Sequence, residues 1–136
     1  SDVRPADDHT LEAIIANRYE IMARYSKTLK RYIAKELQHV QEFTAHLKDA
    51  RDWLYKDEAK LTSEEKVKLE ELMKTNPQLR KMIEMRRELH AIWGRSNATR
   101  EQLLGQLRSW CHRAEEAGPH SLKEFSLRLR RYSNQG

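Results

Sequence analysis

A regular spacing of apolar side chains in the N-terminal part of the chain constrains the fold most strongly. Between residues 11 and 54 an apolar residue recurs about every 3.6 positions, which is the period of an α-helix. The positions are Leu11, Ile15, Tyr19, Met22, Tyr25, Leu29, Ile33, Leu37, Val40, Phe43, Leu47, Ala50 and Leu54. Neither Gly nor Pro occurs between Ala6 and Asn76, so this stretch contains no strong helix breaker. The pattern therefore predicts one long helix, or two nearly collinear helices, over residues 11–54.

Four shorter helices are predicted after the long one from their start and stop signals. Thr62 and Glu65 match a capping box, in which each side chain accepts a hydrogen bond from the backbone N–H of the other residue. Gly94 suits the left-handed residue that often closes a helix, and Asn97 or Thr99 is placed to cap the next helix. The other breaks fall at Asn76-Pro77 and Gly118-Pro119. Because every connection is short, we expect an all-α fold of about five helices, with the long N-terminal helix packed antiparallel with the shorter ones.

Length and composition are typical of one small domain. The chain has 136 residues, of which 35% are charged, and we expect residues 1–136 to form a single helical domain cut from a larger protein. The longest apolar run, Ala13 to Ala16, is far shorter than the roughly 20 residues of a membrane-spanning helix. Cys111 is the only cysteine and has no partner for an internal disulfide, which favours a reducing, cytoplasmic setting.

The residue types that carry catalysis do not occur here at the spacings that catalysis needs. A zinc or di-iron site on helices needs ligands three or four residues apart, and His39 and His46 have no third ligand at such a spacing. Cys111 and His112 are neighbours on a helix and point about 100° apart, so they do not form a nucleophile with its base. Cys111 lies on an apolar stripe and is expected to be an inert core residue. The sequence therefore predicts no catalytic, cofactor-binding or metal-ligating residue, and no cofactor in this chain.

Basic residues gather in two places and form a candidate interaction surface. The candidates are Arg18, Arg24, Lys27, Lys30 and Arg31 near the N-terminus and Arg128, Arg130 and Arg131 near the C-terminus. Such clusters contact the phosphate groups of nucleic acid or of anionic lipid. A net charge of +5 is unremarkable for a chain with 26 basic and 21 acidic residues, so ordinary solvated helix faces remain the alternative. Tyr19, Tyr25 and Tyr32 interleave with the first cluster but fall on the apolar stripe, and we expect them to be buried rather than stacked on bases.

The two ends of the chain resemble the cytoplasmic C-terminal region of bacterial membrane fatty-acid desaturases of the di-iron type. The resemblance is carried by residues 11–25, which include Asn17-Arg18-Tyr19, and by residues 107–118 and 122–133. It implies a parent enzyme that inserts a double bond into an acyl chain, with a di-iron centre held by histidines outside this chain. The region would lie at the cytoplasmic face of the inner membrane and dock an electron-transfer protein or an acyl carrier, or mediate self-association. The first basic cluster would then contact an acidic protein partner or the anionic membrane surface.

A second resemblance overlaps the first and indicates a different class of protein. Residues 61–65, 69–79 and 88–93 are similar to the helical portion of bacterial insertion-sequence transposases of the DDE type. In that family the helical portion accompanies an acidic triad that binds divalent metal in a mixed α/β core, and DNA is the implied partner. The sequence shows neither the histidine boxes of desaturases nor this α/β core, so no catalytic residue is carried over. The opening Asn17-Arg18-Tyr19 favours the desaturase, and the transposase is the alternative.

Overall fold

Six α-helices make up the described part of the chain. The computed structural model describes residues 8–36, 58–94 and 97–131, and it has no strand within these ranges, so the predicted all-α class is confirmed. The helices are α1 (Asp8–Ala16), α2 (Arg18–Glu36), α3 (Ser63–Thr75), α4 (Pro77–Trp93), α5 (Arg100–Ala117) and α6 (His120–Arg130), and a 3₁₀ turn (Glu58–Lys60) precedes α3. The predicted long helix beyond residue 36 lies outside the described residues. Within the described ranges, no helix is long and apolar enough to cross a membrane.

The predicted N-terminal helix is interrupted at Asn17, between α1 and α2. Backbone hydrogen bonds continue across the break, from the Asn17 N–H to the Ala13 carbonyl (3.1 Å) and from the Ile21 N–H to the Asn17 carbonyl (3.0 Å). Asn17 Nδ2 also donates to the Ala13 carbonyl at 2.8 Å, and the Arg18 guanidinium donates to the carbonyl of Ile15 at 3.1 Å. These side chains satisfy carbonyls near the end of α1, which is how Asn and Arg stabilise an interrupted helix. Within residues 8–36 the predicted helical stretch therefore consists of two consecutive helices rather than one.

Two capping boxes fix where α3 and α5 begin. Thr62 Oγ1 accepts from the Glu65 N–H at 3.1 Å and Glu65 Oε1 accepts from the Thr62 N–H at 2.9 Å, which confirms the predicted box. Thr99 and Gln102 form a second box, with distances of 3.1 and 2.8 Å. Gly94 has φ −80° and ψ −4°, which is right-handed, so the prediction of a left-handed closing residue is wrong. The Gly94 N–H instead bonds the carbonyl three residues back, as in a tightened last turn.

Apolar side chains form two core clusters that α2 and α4 share. The first cluster joins the second half of α2 to α3 and to the first half of α4. The second joins α1 and the first half of α2 to the second half of α4, and to α5 and α6. Because late positions of α2 meet early positions of α4, and the reverse, these two helices are antiparallel, as predicted. α5 and α6 form an antiparallel hairpin in which Ser126 Oγ lies 3.2 Å from the Cys111 carbonyl oxygen.

Three aromatic rings hold α2 against α5 and α6. Tyr25, Trp110 and Phe125 meet edge to face, with ring centroids 4.9, 6.0 and 6.2 Å apart. The Tyr25 hydroxyl donates to the Met82 carbonyl at 2.7 Å, and Trp110 Nε1 donates to the Met85 carbonyl at 2.7 Å. Burial raises the pKa of Tyr25 far above its ordinary value, because the phenolate would have to form away from water. Packing and hydrogen bonds together therefore fix the position of α6 beside α2.

Candidate functional site

A groove lined by basic side chains runs between α2 and α6, and we call it the basic groove. Its apolar floor consists of Ile21, Phe125 and Leu129. Its basic lining consists of Arg24, Lys27 and Arg31 of α2 and Arg128 of α6. The groove has a volume of about 210 Å³ at this level and adjoins a wider part of about 600 Å³, which shares Arg31 and Arg128 with it and is also lined by Lys35. The packing of α6 on α2 thus places one arginine of the C-terminal cluster beside three cations of the N-terminal cluster.

The helical period explains why α2 presents its cations on one side. Arg24, Lys27 and Arg31 are separated by three and four residues, and residues at these separations share a helix face. At a rise of about 1.5 Å per residue, they extend over roughly 10 Å of the helix. The inward positions between them are occupied by core residues such as Tyr25 and Leu29. The amphipathic pattern of α2 therefore builds the core and the basic groove at the same time.

Three of the four cations that line the basic groove have no acidic partner among the described residues, whereas several arginines elsewhere have one. No Asp or Glu among the described residues pairs with Lys27, Arg31 or Arg128. Arg24 pairs with Glu20 at 2.7 Å on an exposed surface. The neutralised arginines on the other helices pair as Arg80–Glu84, Arg87–Glu58, Arg113–Glu88 and Arg130–Glu115. The groove therefore brings three cations without acidic partners together on one surface, where they favour an anionic ligand.

The other predicted surface residues lie outside the basic groove. Arg130 Nε is 2.7 Å from Glu115 Oε2, and both side chains are mostly buried, at 12% and 20% exposure, so Arg130 belongs to an internal ion pair. Lys30 is exposed on α2, and Arg131 is an exposed residue that caps the end of α6. Arg18 lies at a separate cavity between α2 and α4. Contact of any of these residues with a partner remains a prediction.

Two of the three tyrosines expected in the core are buried. Tyr25 and Tyr32 are core residues, and the Tyr32 hydroxyl donates to Gln78 Oε1 at 3.0 Å. Tyr19 is 77% exposed, so its predicted burial is wrong. Ile21 takes the inward position on this turn of α2, and Tyr19, two residues earlier, points about 200° away from it at 100° per residue. Tyr19 falls on the regular apolar spacing of the sequence, and for this reason the exposure of its ring could not be predicted from the sequence.

The described histidines and the cysteine form no evident metal or nucleophile site. No group of three or more His, Cys, Asp or Glu within the described residues is arranged to hold a metal ion. His112 and His120 are exposed, and each lies beside a glutamate one turn later, at 3.1 and 2.8 Å. Cys111 is buried, as predicted, and burial raises the pKa of its thiol. His39 and His46 lie outside the described residues.

Comparison with known proteins identifies the family. The family model of ISL3-type DDE transposases, described as a transposase, matches residues 10–135, and the chain belongs to this family. No curated protein and no solved structure gives a significant match. Transposases of the DDE type are DNA-cutting enzymes, and membership of the family implies DNA binding. The acidic triad and divalent metal of such enzymes do not fit any cluster among the described residues, so no metal-dependent step is assigned to them.

The family match overturns the desaturase assignment. Double-bond insertion, a di-iron centre in a parent enzyme, and an electron-transfer protein or acyl carrier as partner rested on that resemblance and fall with it. Of the residues that favoured it, Asn17 lies at the break between two helices and Tyr19 lies on the surface. The rest of the resemblance was a pattern of amphipathic helix faces, which unrelated helical proteins share. The transposase alternative is the correct one, and self-association remains a prediction.

Proposed function

We propose that this member of the ISL3 transposase family holds duplex DNA by its backbone phosphates in the basic groove between α2 and α6. Lys27, Arg31 and Arg128 each neutralise one phosphate, and Arg24 keeps its surface ion pair with Glu20. The observation that carries the proposal is the convergence of three cations without acidic partners on one groove. Phosphates are the favoured ligand because cations that neutralise them release condensed counterions from the DNA.

The dimensions of α2 suit one strand of a duplex. A strand carries a phosphate about every 3.4 Å of helix axis, so the roughly 10 Å between the first and last cation of α2 is long enough to reach more than one phosphate of a strand. Arg128 adds a guanidinium from the second wall, and guanidinium groups bind phosphates with two parallel hydrogen bonds. Phosphate contacts position a protein on DNA without selecting its sequence. We therefore expect similar affinities for duplexes of equal length and different sequence.

Three phosphate contacts have a measurable signature in the salt dependence of binding. Each contact contributes about 0.9 to the slope of the logarithm of affinity against the logarithm of salt concentration, so three contribute about 2.7. Between about 50 and 200 mM salt, a slope of that size weakens binding roughly 40-fold. The slope reports the number of contacts, whereas a single Kd does not.

Fluorescence anisotropy with a labelled duplex across this salt range tests the proposal. The test variant is Lys27→Gln/Arg31→Gln/Arg128→Gln. The matched control is Lys60→Gln/Lys66→Gln/Lys74→Gln, which removes the same charge from exposed positions on the 3₁₀ turn and α3. We expect the test variant to lose about 2.7 from the slope and the control to keep the parent slope, with unchanged helical circular dichroism in both. Equal slopes for the two variants would show that net charge alone drives binding and would contradict the proposal.

A further inference from the structure

A second cavity, separate from the basic groove, lies between α2 and α4. It encloses about 640 Å³, within the range of about 300–1,000 Å³ typical of ligand sites. The lining residues that concern its chemistry are Arg18, Tyr19, Glu58, Arg86, Arg87 and Trp93. None of these residues lines the basic groove. The cavity therefore offers a second binding position whose chemistry is independent of the first.

An exposed aromatic ring stands at this cavity. Tyr19 is 77% exposed, although the next inward positions on α2, Ile21 and Tyr25, are fully buried. The guanidinium carbon of Arg18 lies 4.7 Å from the centroid of the Tyr19 ring. A solvent-facing aromatic ring beside a guanidinium is the arrangement on which proteins stack unpaired nucleobases. Tyr19 contributes little to the core, and its exposed ring is available for contact with a ligand.

Two guanidinium groups of this cavity carry charge that no acid neutralises. Burial lowers the pKa of Arg87, but hydrogen bonds and charge from Glu58 and Glu70 outweigh this effect and raise it, so the charge of Arg87 is already compensated. By contrast, no Asp or Glu of the described residues pairs with Arg18 or Arg86. The cavity therefore favours a ligand that combines an anionic group with a flat ring.

Two buried donors in the wall of the cavity lack acceptors. Arg86 Nε and Trp93 Nε1 have no hydrogen-bond partner in the described structure, although Arg86 Nη2 donates to Ser26 Oγ at 3.2 Å. Native proteins seldom leave buried donors unpaired, because the lost hydration is not replaced. Each of these two atoms has less than 1 Å² of exposed surface, so it lies behind the wall of the cavity and a ligand there does not reach it directly. The exposed groups of the cavity call for a flat ring and an anion, and a nucleotide supplies both in one ligand.

We infer that this cavity accepts an unpaired nucleotide of a DNA strand, with the base stacked on Tyr19 and the phosphate beside Arg18 and Arg86. The inference extends the proposed function, since the basic groove holds paired DNA by its phosphates and the cavity takes a nucleotide that has left the stack. A base inside a duplex cannot stack on a side chain without first being extruded. An unpaired nucleotide at a DNA end or extension meets no such barrier.

Binding of three labelled probes to the full chain tests the inference. The probes are a single-stranded oligothymidylate of about ten nucleotides, a blunt duplex, and the same duplex with a short single-stranded extension. Tyr19→Ala removes the stacking ring, and Tyr19→Phe is the control that keeps it. We expect Tyr19→Ala to weaken binding of the oligothymidylate and the extended duplex roughly 5- to 150-fold and to leave the blunt duplex unchanged. Tyr19→Phe should bind all three probes as the parent does.

The outcomes separate the cavity from the basic groove. If Tyr19→Ala binds the oligothymidylate as tightly as the parent, the cavity takes no unpaired base and the inference is wrong. If Tyr19→Ala weakens the blunt duplex as much as the single strand, Tyr19 lies on the duplex surface and the inference is also wrong. The oligothymidylate reports on the cavity even if the blunt duplex fails to bind in the basic groove. Because Tyr19 is exposed, circular dichroism should show both variants folded.

Discussion

The Arg130→Gln substitution removes the cation of a mostly buried ion pair between α5 and α6. Arg130 Nε lies 2.7 Å from Glu115 Oε2, and the fully buried Ser126 donates to the same oxygen at 2.6 Å. Arg128, two residues earlier on the same helix, lines the basic groove without an acidic partner. Two arginines that the sequence placed in one cluster are therefore expected to differ: Arg130 stabilises the fold and Arg128 binds phosphate.

The cost of the substitution follows from the burial of the glutamate that remains. Removing one member of a fully buried ion pair costs about 3–5 kcal/mol, because the other charge stays buried without a partner. Glu115 keeps 20% exposure and the hydrogen bond from Ser126, so we expect a smaller loss, about 2 kcal/mol. For a chain of 136 residues such a loss lowers Tm by roughly 6–10 °C.

Thermal and urea unfolding of matched variants provide the assay. Arg128→Gln should stay within about 0.5 kcal/mol of the parent but lower the salt slope of duplex binding by about 0.9. Arg130→Gln should lose stability and keep the slope. The double variant Arg130→Gln/Glu115→Gln should recover part of the loss, because no buried carboxylate is left without a cation. The reasoning is refuted if Arg130→Gln is as stable as the parent, or if it lowers the salt slope as much as Arg128→Gln does.

Urea unfolding tests four further expectations. Gly105→Ala should stabilise the chain by about 1 kcal/mol, because a Cβ there meets nothing within 4 Å inside α5, and a destabilised variant would contradict this. Gly118→Ala should instead cost about 1–3 kcal/mol, since its Cβ would lie 2.7 Å from the Ala114 carbonyl; a neutral effect would show that the turn relaxes. Thr62→Ala should cost about 1 kcal/mol through loss of the capping box, and no change would mean that water caps α3 equally well. Above about pH 10, unfolded tyrosine ionises while burial holds the pKa of Tyr25 higher, so stability should fall with rising pH, and Tyr25→Phe should remove part of that fall.

Helix boundaries were predictable where a side chain makes its own hydrogen bond to the backbone. The Thr62 and Glu65 box depends on residues three positions apart, so the sequence contains all of it, and the box formed by Thr99 and Gln102 was open to the same reasoning. Gly94 was predicted wrongly because glycine permits a left-handed conformation without requiring it. A side-chain hydrogen bond to the backbone therefore predicts a helix end more reliably than the presence of a glycine does.

The basic residues of the candidate site could be identified from the sequence, but their positions relative to one another and to acidic residues could not. Both basic clusters are visible in the sequence, yet the partner of Arg130 is Glu115, which comes from another helix and is brought near by the α5–α6 hairpin. The prediction that Tyr19 is buried was wrong for a related reason. Its burial depended on which residue of this helical turn faces the core, and that residue is Ile21. Which acid pairs with a basic residue, and which side chain of a turn faces the core, are decided by the packing of the helices. A periodic apolar pattern in the sequence does not determine either of them within one turn of a helix.

Both proposed sites include residues of α2, and this determines which variants can distinguish the function of one site from that of the other. α2 forms the basic groove with α6 and the second cavity with α4, and the Tyr25, Trp110 and Phe125 rings tie the helices together. A core change such as Phe125→Ala would cost about 3–5 kcal/mol and disturb both sites together, so a loss of DNA binding there would identify neither. Substitutions at exposed lining residues change one site and leave the packing intact. If Lys27 variants affected only duplex probes and Tyr19 variants only unpaired ones, α2 would present two separable DNA contacts.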